Sequence, residues 1–170
     1  MGLKSYLVKK LVDLDLIPCR TRWKKSVRGI GRIHADLYTK LQERYGPEGI
    51  ELLGRVMYGL GAEQAWEIVD SLGLERDLEG CAYAVMVMHR IFGIKSKIIE
   101  RDSQEVVIEI TDCEWGRRRG GWSPGMCVTI GRYEDGVIET ILPGARHTYE
   151  ARHTIQGDNC RLVITLDKWY

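Results

Sequence analysis

The sequence lacks any apolar run near the roughly 20 residues that a helix needs to cross a bilayer, so it predicts no membrane span. It also lacks a charge excess. Its 25 Lys and Arg against 24 Asp and Glu give a net charge of +1, which provides no general attraction to nucleic acid or membrane surfaces. Charges recur every few positions in residues 1–18, unlike a secretory signal peptide. We therefore expect a cytoplasmic protein that binds neither membranes nor nucleic acid.

Phosphate-binding glycine motifs, internal repeats and low-complexity segments are also missing. Gly29 and Gly31 have no predicted strand before them and no third glycine after them, which argues against dinucleotide binding. The five cysteines are an odd number and widely spaced, so they predict reduced thiols rather than a disulfide framework. A chain of 170 residues with 44% hydrophobic residues is long and apolar enough for one domain with a real core.

The first ninety or so residues have the apolar spacing and the glycine stops of helices. Helices are predicted over residues 3–14, 33–45, 48–60, 62–72 and 78–92. Their predicted stops are Pro18, Gly46-Pro47, Gly61, Gly73 and Gly93. Residues 19–32 hold six basic residues and no acid, which predicts an exposed connector. It is either a partner-binding arm anchored by Trp23 or a solvated linker whose Trp packs on the body.

The middle of helix 78–92 is apolar on all sides, so this helix must be buried centrally or at a subunit interface. Met86 and His89 are its candidate ligand contacts. A methionine can shape an adaptable pocket, although it is more often core filler. His89 has a similar alternative, since a histidine on a buried helix is often a hydrogen-bonded core residue.

The pattern changes to strands after residue 94. Strands are predicted over residues 95–100 and 105–111, joined by a turn at Asp102-Ser103. Ser123-Pro124 is a typical helix start, and that helix is predicted to reach residue 141. A last hairpin is predicted from residues 147–155 and 161–167. The order predicts an α+β fold in which an N-terminal helical bundle packs on an antiparallel sheet of about four strands. Residues 1–75 would form a helical extension and residues 76–170 an α+β ligand-binding domain.

Four residues of the last third carry metal-binding groups: Cys127, Glu150, His153 and Cys160. Thiolate, imidazole and carboxylate are the usual ligands of zinc, and iron is an alternative. Residues three apart in a regular strand point to opposite faces, so Glu150 and His153 can share a metal only through a bulge or at a strand end. The four residues either close a structural metal site or belong to an ordinary core.

Cys113 is the candidate for catalysis, because a thiol next to arginines could attack a bound acid. The arginines that could hold a carboxylate or phosphate there are Arg117, Arg118 and Arg119. His89 or His147 could act as the base, although the sequence places neither near Cys113. The alternative is a solvated arginine loop with no role in binding.

The run from Cys127 to Cys160 resembles the 4-vinyl reductase domain. That family has a cysteine near a helix start, a Glu-x-x-Cys some two dozen residues later and a Gly-Asp-x-x-Cys turn. Here Cys127, Glu150 and the Gly157-Asp158-Asn159-Cys160 turn resemble this pattern. The turn has one residue fewer between its Asp and Cys, and His153 stands where the family usually has cysteine. The resemblance implies a fold shared with transport-particle subunits and with sensory domains of aromatic-responsive regulators.

A second resemblance overlaps the first. Residues 110–115, Cys127 and the turn before Cys160 are similar to proteins grouped with L-2-amino-thiazoline-4-carboxylic acid hydrolase. Together the two resemblances imply a binding domain for a small hydrophobic or carboxylate-bearing ligand, with zinc held at the four residues. The alternatives are a thiol-dependent hydrolase that uses Cys113 as nucleophile, and a dimeric assembly module paired through helix 78–92.

Overall fold

A computed structural model describes residues 16–116, 122–151 and 159–166, preceded by Leu7, Lys10, Leu11 and Leu14. Several sequence predictions fall partly or wholly outside these residues. They are the helix over residues 3–14, the arginines Arg117, Arg118 and Arg119, the predicted ligand His153, and the Gly157-Asp158 turn.

The first described element is α1 (Cys19–Leu72), a helix that changes direction at Gly46. Gly46 has φ 57° and ψ −139°, which residues with a Cβ rarely adopt, and Pro47 starts the next turn. Residues 30 and 64 would lie about 50 Å apart in a straight helix, yet both line one cavity. The first arm (residues 19–45) and the second arm (residues 47–72) therefore fold back on each other.

The predicted connector over residues 19–32 is wrong, because this segment forms the first turns of α1. Val27, Gly31 and His34 repeat at helical spacing and are buried, so one side of the segment faces the body. Most of its basic residues are exposed, whereas the half-buried Arg28 pairs with Glu114 at 2.6 Å. The indole Nε1 of Trp23 donates to the carbonyl of Ile91 at 2.8 Å. Trp23 therefore packs on the body of the protein, as expected for the alternative in which it does not anchor a partner-binding arm.

The predicted helix stop at Gly61 is also wrong. Gly61 is buried inside the second arm, and a Cβ there would lie 2.0 Å from the carbonyl oxygen of Tyr133 on another helix. The glycine permits a close helix–helix approach instead of ending a helix. The real end of α1 is Gly73, which has the left-handed conformation of a C-terminal cap.

The remaining elements match the predicted order. They are α2 (Leu78–Ile91), β1 (Ile94–Arg101), β2 (Glu105–Cys113), α3 (Pro124–Ile141), β3 (Ala145–Ala151) and β4 (Cys160–Leu166). Asp77 caps α2 by accepting from the amide of Gly80 at 2.7 Å, and Ser123 caps α3 by accepting from the amide of Met126. The strands form one antiparallel sheet in the order β1-β2-β4-β3. The predicted α+β class is confirmed.

The core lies between one face of the sheet and the three helices. Alternate residues of β2 and β4, including Ile108, Leu162 and Ile164, point into it and are fully buried. Helices α2 and α3 cover this face, and α1 packs mainly along α3. Residues of the second arm, among them Ala65 and Val69, belong to the same core. Among the described residues no helix is both long and apolar enough to cross a membrane.

Candidate ligand-binding site

A cavity of about 440 Å³ lies between the two arms of α1 and the rest of the fold. Both arms, α2, the first three strands, α3 and β4 contribute to its wall. The wall is mostly apolar, and its aliphatic and methionine residues include Ile30, Ile33, Leu37, Leu53, Val56, Met57, Leu60, Met88, Ile94, Ile110 and Ile130. Volumes of about 300–1,000 Å³ with mostly apolar walls are typical of small-molecule sites.

The cavity opens to the surface between the two arms of α1. Ile33 of the first arm is 68% exposed, and Val56 of the second arm is 51% exposed, although both line the cavity. Exposed apolar side chains that form a contiguous patch are typical of ligand-binding grooves and other interaction sites. The kink at Gly46 creates this mouth, because it brings the two arms face to face.

One wall of the cavity is a ladder of aromatic rings. Phe92 packs against Trp115 at 5.3 Å between ring centroids, Trp115 stacks on Trp122 at 5.5 Å, and Trp122 stacks on His34 at 5.6 Å. The indole of Trp115 donates to the carbonyl of Val27 at 3.0 Å, which fixes its plane. Burial lowers the pKa of His34, so this wall is neutral near physiological pH.

The opposite end of the cavity carries a buried carboxylate, Glu134 of α3. Its Oε1 lies 2.9 Å from Nε2 of His89, and its Oε2 accepts from the hydroxyl of Tyr149 at 2.7 Å. The other imidazole nitrogen of His89 lies 2.9 Å from the hydroxyl of Ser96. Two donors from two different elements therefore hold the carboxylate against the cavity wall.

A second histidine lies behind Glu134, toward the outer surface. Nε2 of His147 lies 3.4 Å from Oε2 of Glu134, and its Nδ1 lies 2.8 Å from Oδ1 of Asp135. The His147 side chain is only 6% exposed. The imidazole of His147 therefore lies between two carboxylates, one at each ring nitrogen.

Glu134 is ionised despite its burial. Burial by itself raises its pKa, but the hydrogen bond and charge of His89, the charge of His147 and the hydrogen bond from Tyr149 together outweigh it, and the pKa lies below the usual value. Burial and the neighbouring Glu134 charge raise the pKa of Tyr149 well above the usual value, so its hydroxyl keeps the proton that it donates. The end of the cavity is thus a hydrogen-bonded carboxylate.

The structure brings together some of the predicted metal ligands. Cys127 lies in the first turn of α3, and Cys160 starts β4; both line the cavity, as does Cys113. Glu150 lies apart from them: it is half-exposed, and its Oε2 lies 3.3 Å from Nε of Arg161. Within the ranges that the structure covers, no three His, Cys, Asp or Glu side chains form a group that could hold a metal. His153 lies outside the described residues, so zinc or iron at the four positions stays a prediction.

The other predicted site residues have different surroundings. His89 lines the cavity, but both of its ring nitrogens are engaged, by Ser96 and Glu134, so it is also the hydrogen-bonded core histidine of the alternative. Met86 packs at the edge of the core, and Met88, two residues later, reaches the cavity wall. Cys113 lines the cavity and accepts from the amide of Gly116 at 3.4 Å.

Burial raises the pKa of Cys113 to about 11, partly opposed by the backbone hydrogen bonds from Gly116 and Trp115. At about pH 7.5 the thiolate fraction is then several hundred times smaller than for an ordinary thiol. We expect iodoacetamide to alkylate Cys113 roughly 100-fold more slowly than the exposed Cys19, measured by peptide mass spectrometry in one sample. Faster labelling of Cys113 than of Cys19 would contradict this and support an activated nucleophile.

Sequence reasoning missed Glu134, Tyr149 and the aromatic ladder. A signal for Glu134 was present, because Ile130, Glu134, Val137, Ile138 and Ile141 recur at helical spacing and place a carboxylate on the apolar face of α3. A charge at such a position costs free energy unless it is paired, so it indicates either a pocket or a buried polar network. No comparable local signal identifies Trp115 and Trp122.

No protein-family model matches the chain, and no curated protein matches it. Among the solved structures that share its fold are the following two. One is a trafficking protein particle complex subunit 3 from Naegleria fowleri covalently bound to palmitic acid; it has a TM-score of 0.68 and 16% identity, over 86% of this chain and 98% of that chain. The other is the phenol-responsive sensory domain of the transcription activator PoxR with phenol, with a TM-score of 0.60 and 14% identity, over 82% of this chain and 74% of that chain.

At these identities the two structures show a common fold and no more. The fold that the resemblance implied, shared by transport-particle subunits and an aromatic-responsive sensory domain, is therefore confirmed. Membership of the 4-vinyl reductase family and likeness to the thiazoline hydrolases stay predictions. The chain has the fold of these two proteins, and its own residues build a largely apolar cavity within it.

Proposed function

We propose that this protein is a binding domain for a small, largely apolar molecule, which occupies the cavity between the two arms of α1. The observation that carries the proposal is the cavity itself: about 440 Å³, with aliphatic side chains on most of its wall, an aromatic ladder on one side and a single buried carboxylate cluster at one end. Apolar walls supply most of the binding free energy, and a few polar groups orient the ligand.

The two proteins of the same fold support this proposal. One was solved with palmitic acid and the other with phenol, an acyl chain and an aromatic ring respectively. Both are apolar molecules with a small polar group, and the cavity has the same combination of surfaces. The support is an analogy of fold, and the residues of this chain's own cavity carry the argument.

A hydrolase is the weaker hypothesis. Its predicted nucleophile, Cys113, is held as a neutral thiol by burial, and His89 is committed to Ser96 and Glu134 rather than to the thiol. Hydrolase activity, the structural metal, a homodimer and a cytoplasmic location all stay predictions.

Titration with the neutral fluorescent dye N-phenyl-1-naphthylamine tests the proposal. We expect saturable fluorescence enhancement at one dye per chain, reversed by phenol and by octan-1-ol, because the dye and the competitors would share the apolar wall. The measurement is a fluorescence titration with a stoichiometry determined at high protein concentration. Non-saturating fluorescence, or enhancement that neither competitor reverses, would overturn the proposal, since dye adsorbed on exposed leucines behaves in that way.

A further inference from the structure

We propose, on the basis of the proposed function, that Glu134 selects the head group of the ligand. The cavity binds molecules whose polar end donates a hydrogen bond and carries no negative charge, such as a hydroxyl or an amine. It rejects molecules that end in a carboxylate. Glu134 and Tyr149 both line the cavity, so their polar atoms are the ones that a bound head group meets at this end.

The lone pairs of Glu134 leave room for a ligand donor. A carboxylate has about four lone-pair sites, two on each oxygen. His89 occupies one site on Oε1 and Tyr149 one on Oε2, and His147 contacts Oε2 at the longer distance of 3.4 Å. A further N–H or O–H from a ligand can therefore be accepted without displacing either short hydrogen bond.

The charges around the cavity disfavour an anionic head group. No lysine or arginine belongs to the lining within the described ranges, so the described wall offers no permanent cation to a carboxylate that meets Glu134. The titratable side chains that face Glu134 or its neighbour are His89 on α2, Tyr149 and His147 on β3, and Asp135 on α3. The ring nitrogens of His89 face Glu134 and Ser96, and those of His147 face Glu134 and Asp135, so they are directed to these partners rather than to a ligand anion.

The proposal also explains why a charged residue occupies the apolar face of α3. Stability alone does not account for a glutamate clustered with two histidines, because a buried group of paired charges that is replaced as a whole by apolar residues often leaves stability unchanged or raised. A glutamate that lines a binding cavity has a further role, since it discriminates between ligands through the hydrogen bond that only some of them can donate.

Three compounds with the same eight-carbon tail test this inference: octylamine, octan-1-ol and octanoate. At about pH 7.5 the amine is protonated and the acid ionised, so this pair differs in the sign of the head-group charge. We expect octylamine and octan-1-ol to displace N-phenyl-1-naphthylamine at concentrations at least tenfold lower than octanoate. Octanoate that competes as well as octylamine would overturn the inference, while dye binding itself would still stand as evidence for the proposed function.

The discrimination is measured as the concentration of octanoate that displaces half of the dye divided by that of octylamine. In the variant Glu134→Gln this ratio should fall below about threefold, because the amide side chain has the shape of the carboxylate without its charge. Its matched control is Glu139→Gln, five residues later on α3, whose carboxylate accepts from the Tyr58 hydroxyl at 3.0 Å outside the cavity. The control should keep the wild-type ratio. An unchanged ratio in Glu134→Gln would overturn the inference, and the wild-type comparison decides it if that variant fails to fold.

Discussion

Replacing Gly61 with alanine should destabilise the protein by about 3 kcal/mol or more. A Cβ at Gly61 would lie 2.0 Å from the carbonyl oxygen and 2.9 Å from the carbonyl carbon of Tyr133. Both atoms belong to the backbone of α3, which cannot rotate away, so the two helices must separate. The same contact recurs from the other side, where a Cβ at Gly136 would lie 2.1 Å from the carbonyl oxygen of Tyr58. The midpoint of urea denaturation measures the effect.

Gly59→Ala is the matched control, since it lies two residues earlier in the same helix and a Cβ there meets no atom within 4 Å. It should stabilise the protein by about 0.5–1 kcal/mol, because alanine loses less backbone entropy in a helix than glycine does. Equal midpoints for Gly61→Ala and Gly59→Ala would show that α1 and α3 do not approach each other as closely as the structure has them.

Replacing Ile130 with tryptophan should weaken the binding of N-phenyl-1-naphthylamine by at least tenfold. Ile130 of α3 lines the cavity and is partly buried. The larger ring would occupy space that the ligand needs, so binding is lost by direct exclusion. The fold should tolerate the change, because side chains that fill an existing cavity commonly stabilise proteins by about 0.5–2 kcal/mol.

Val128→Trp controls for the Ile130 variant. Val128 lies on the same helix, is 49% exposed and belongs to the outer surface rather than to the cavity. This control should keep dye affinity within about twofold and stability within about 0.5 kcal/mol, as surface substitutions usually do. Unchanged affinity in Ile130→Trp, with stability kept, would place the dye elsewhere and remove the main support for the proposed function.

Elements that depend on local chemistry could be predicted from the sequence. Asp77 and the Ser123-Pro124 pair mark helix starts, Gly73 marks a helix end, and the alternation in β2 and β4 marks a half-buried sheet. These features depend on hydrogen bonds and side-chain periodicity within a few residues of the chain. They can therefore be read from the sequence without knowledge of the tertiary structure.

Glycines were misread where their function is to allow contact between distant segments. The sequence predicted a helix stop at Gly61 and an exposed connector over the basic residues 19–32, which include Gly31. The structure shows that Gly31 is buried under Trp115, with ring atoms 2.5 Å from where a Cβ would lie. The sequence cannot distinguish a glycine that ends a helix from one that allows another segment to approach, because the approaching segment lies far away in the chain.

The candidate site was predictable only in part. Cys127 and Cys160 both line the cavity, whereas the half-exposed Glu150 lies against Arg161. That they share a metal with His153 stays a prediction. Glu134 could have been found from its place on the apolar face of α3, but its donors His89 and Tyr149 come from α2 and β3, and nothing local relates them.

The sequence by itself determined the class of fold, the order of its elements and the absence of an apolar run that could span a bilayer, because these follow from local periodicity, caps and composition. The tertiary structure alone decided that α1 folds back at Gly46 and encloses a cavity with α3 and the sheet. It also decided that the polar end of this cavity is a carboxylate held by two donors. A cavity forms where surfaces from distant parts of the chain meet. The burial of Glu134 and its pairing with His89 and Tyr149 therefore arise only in the folded protein.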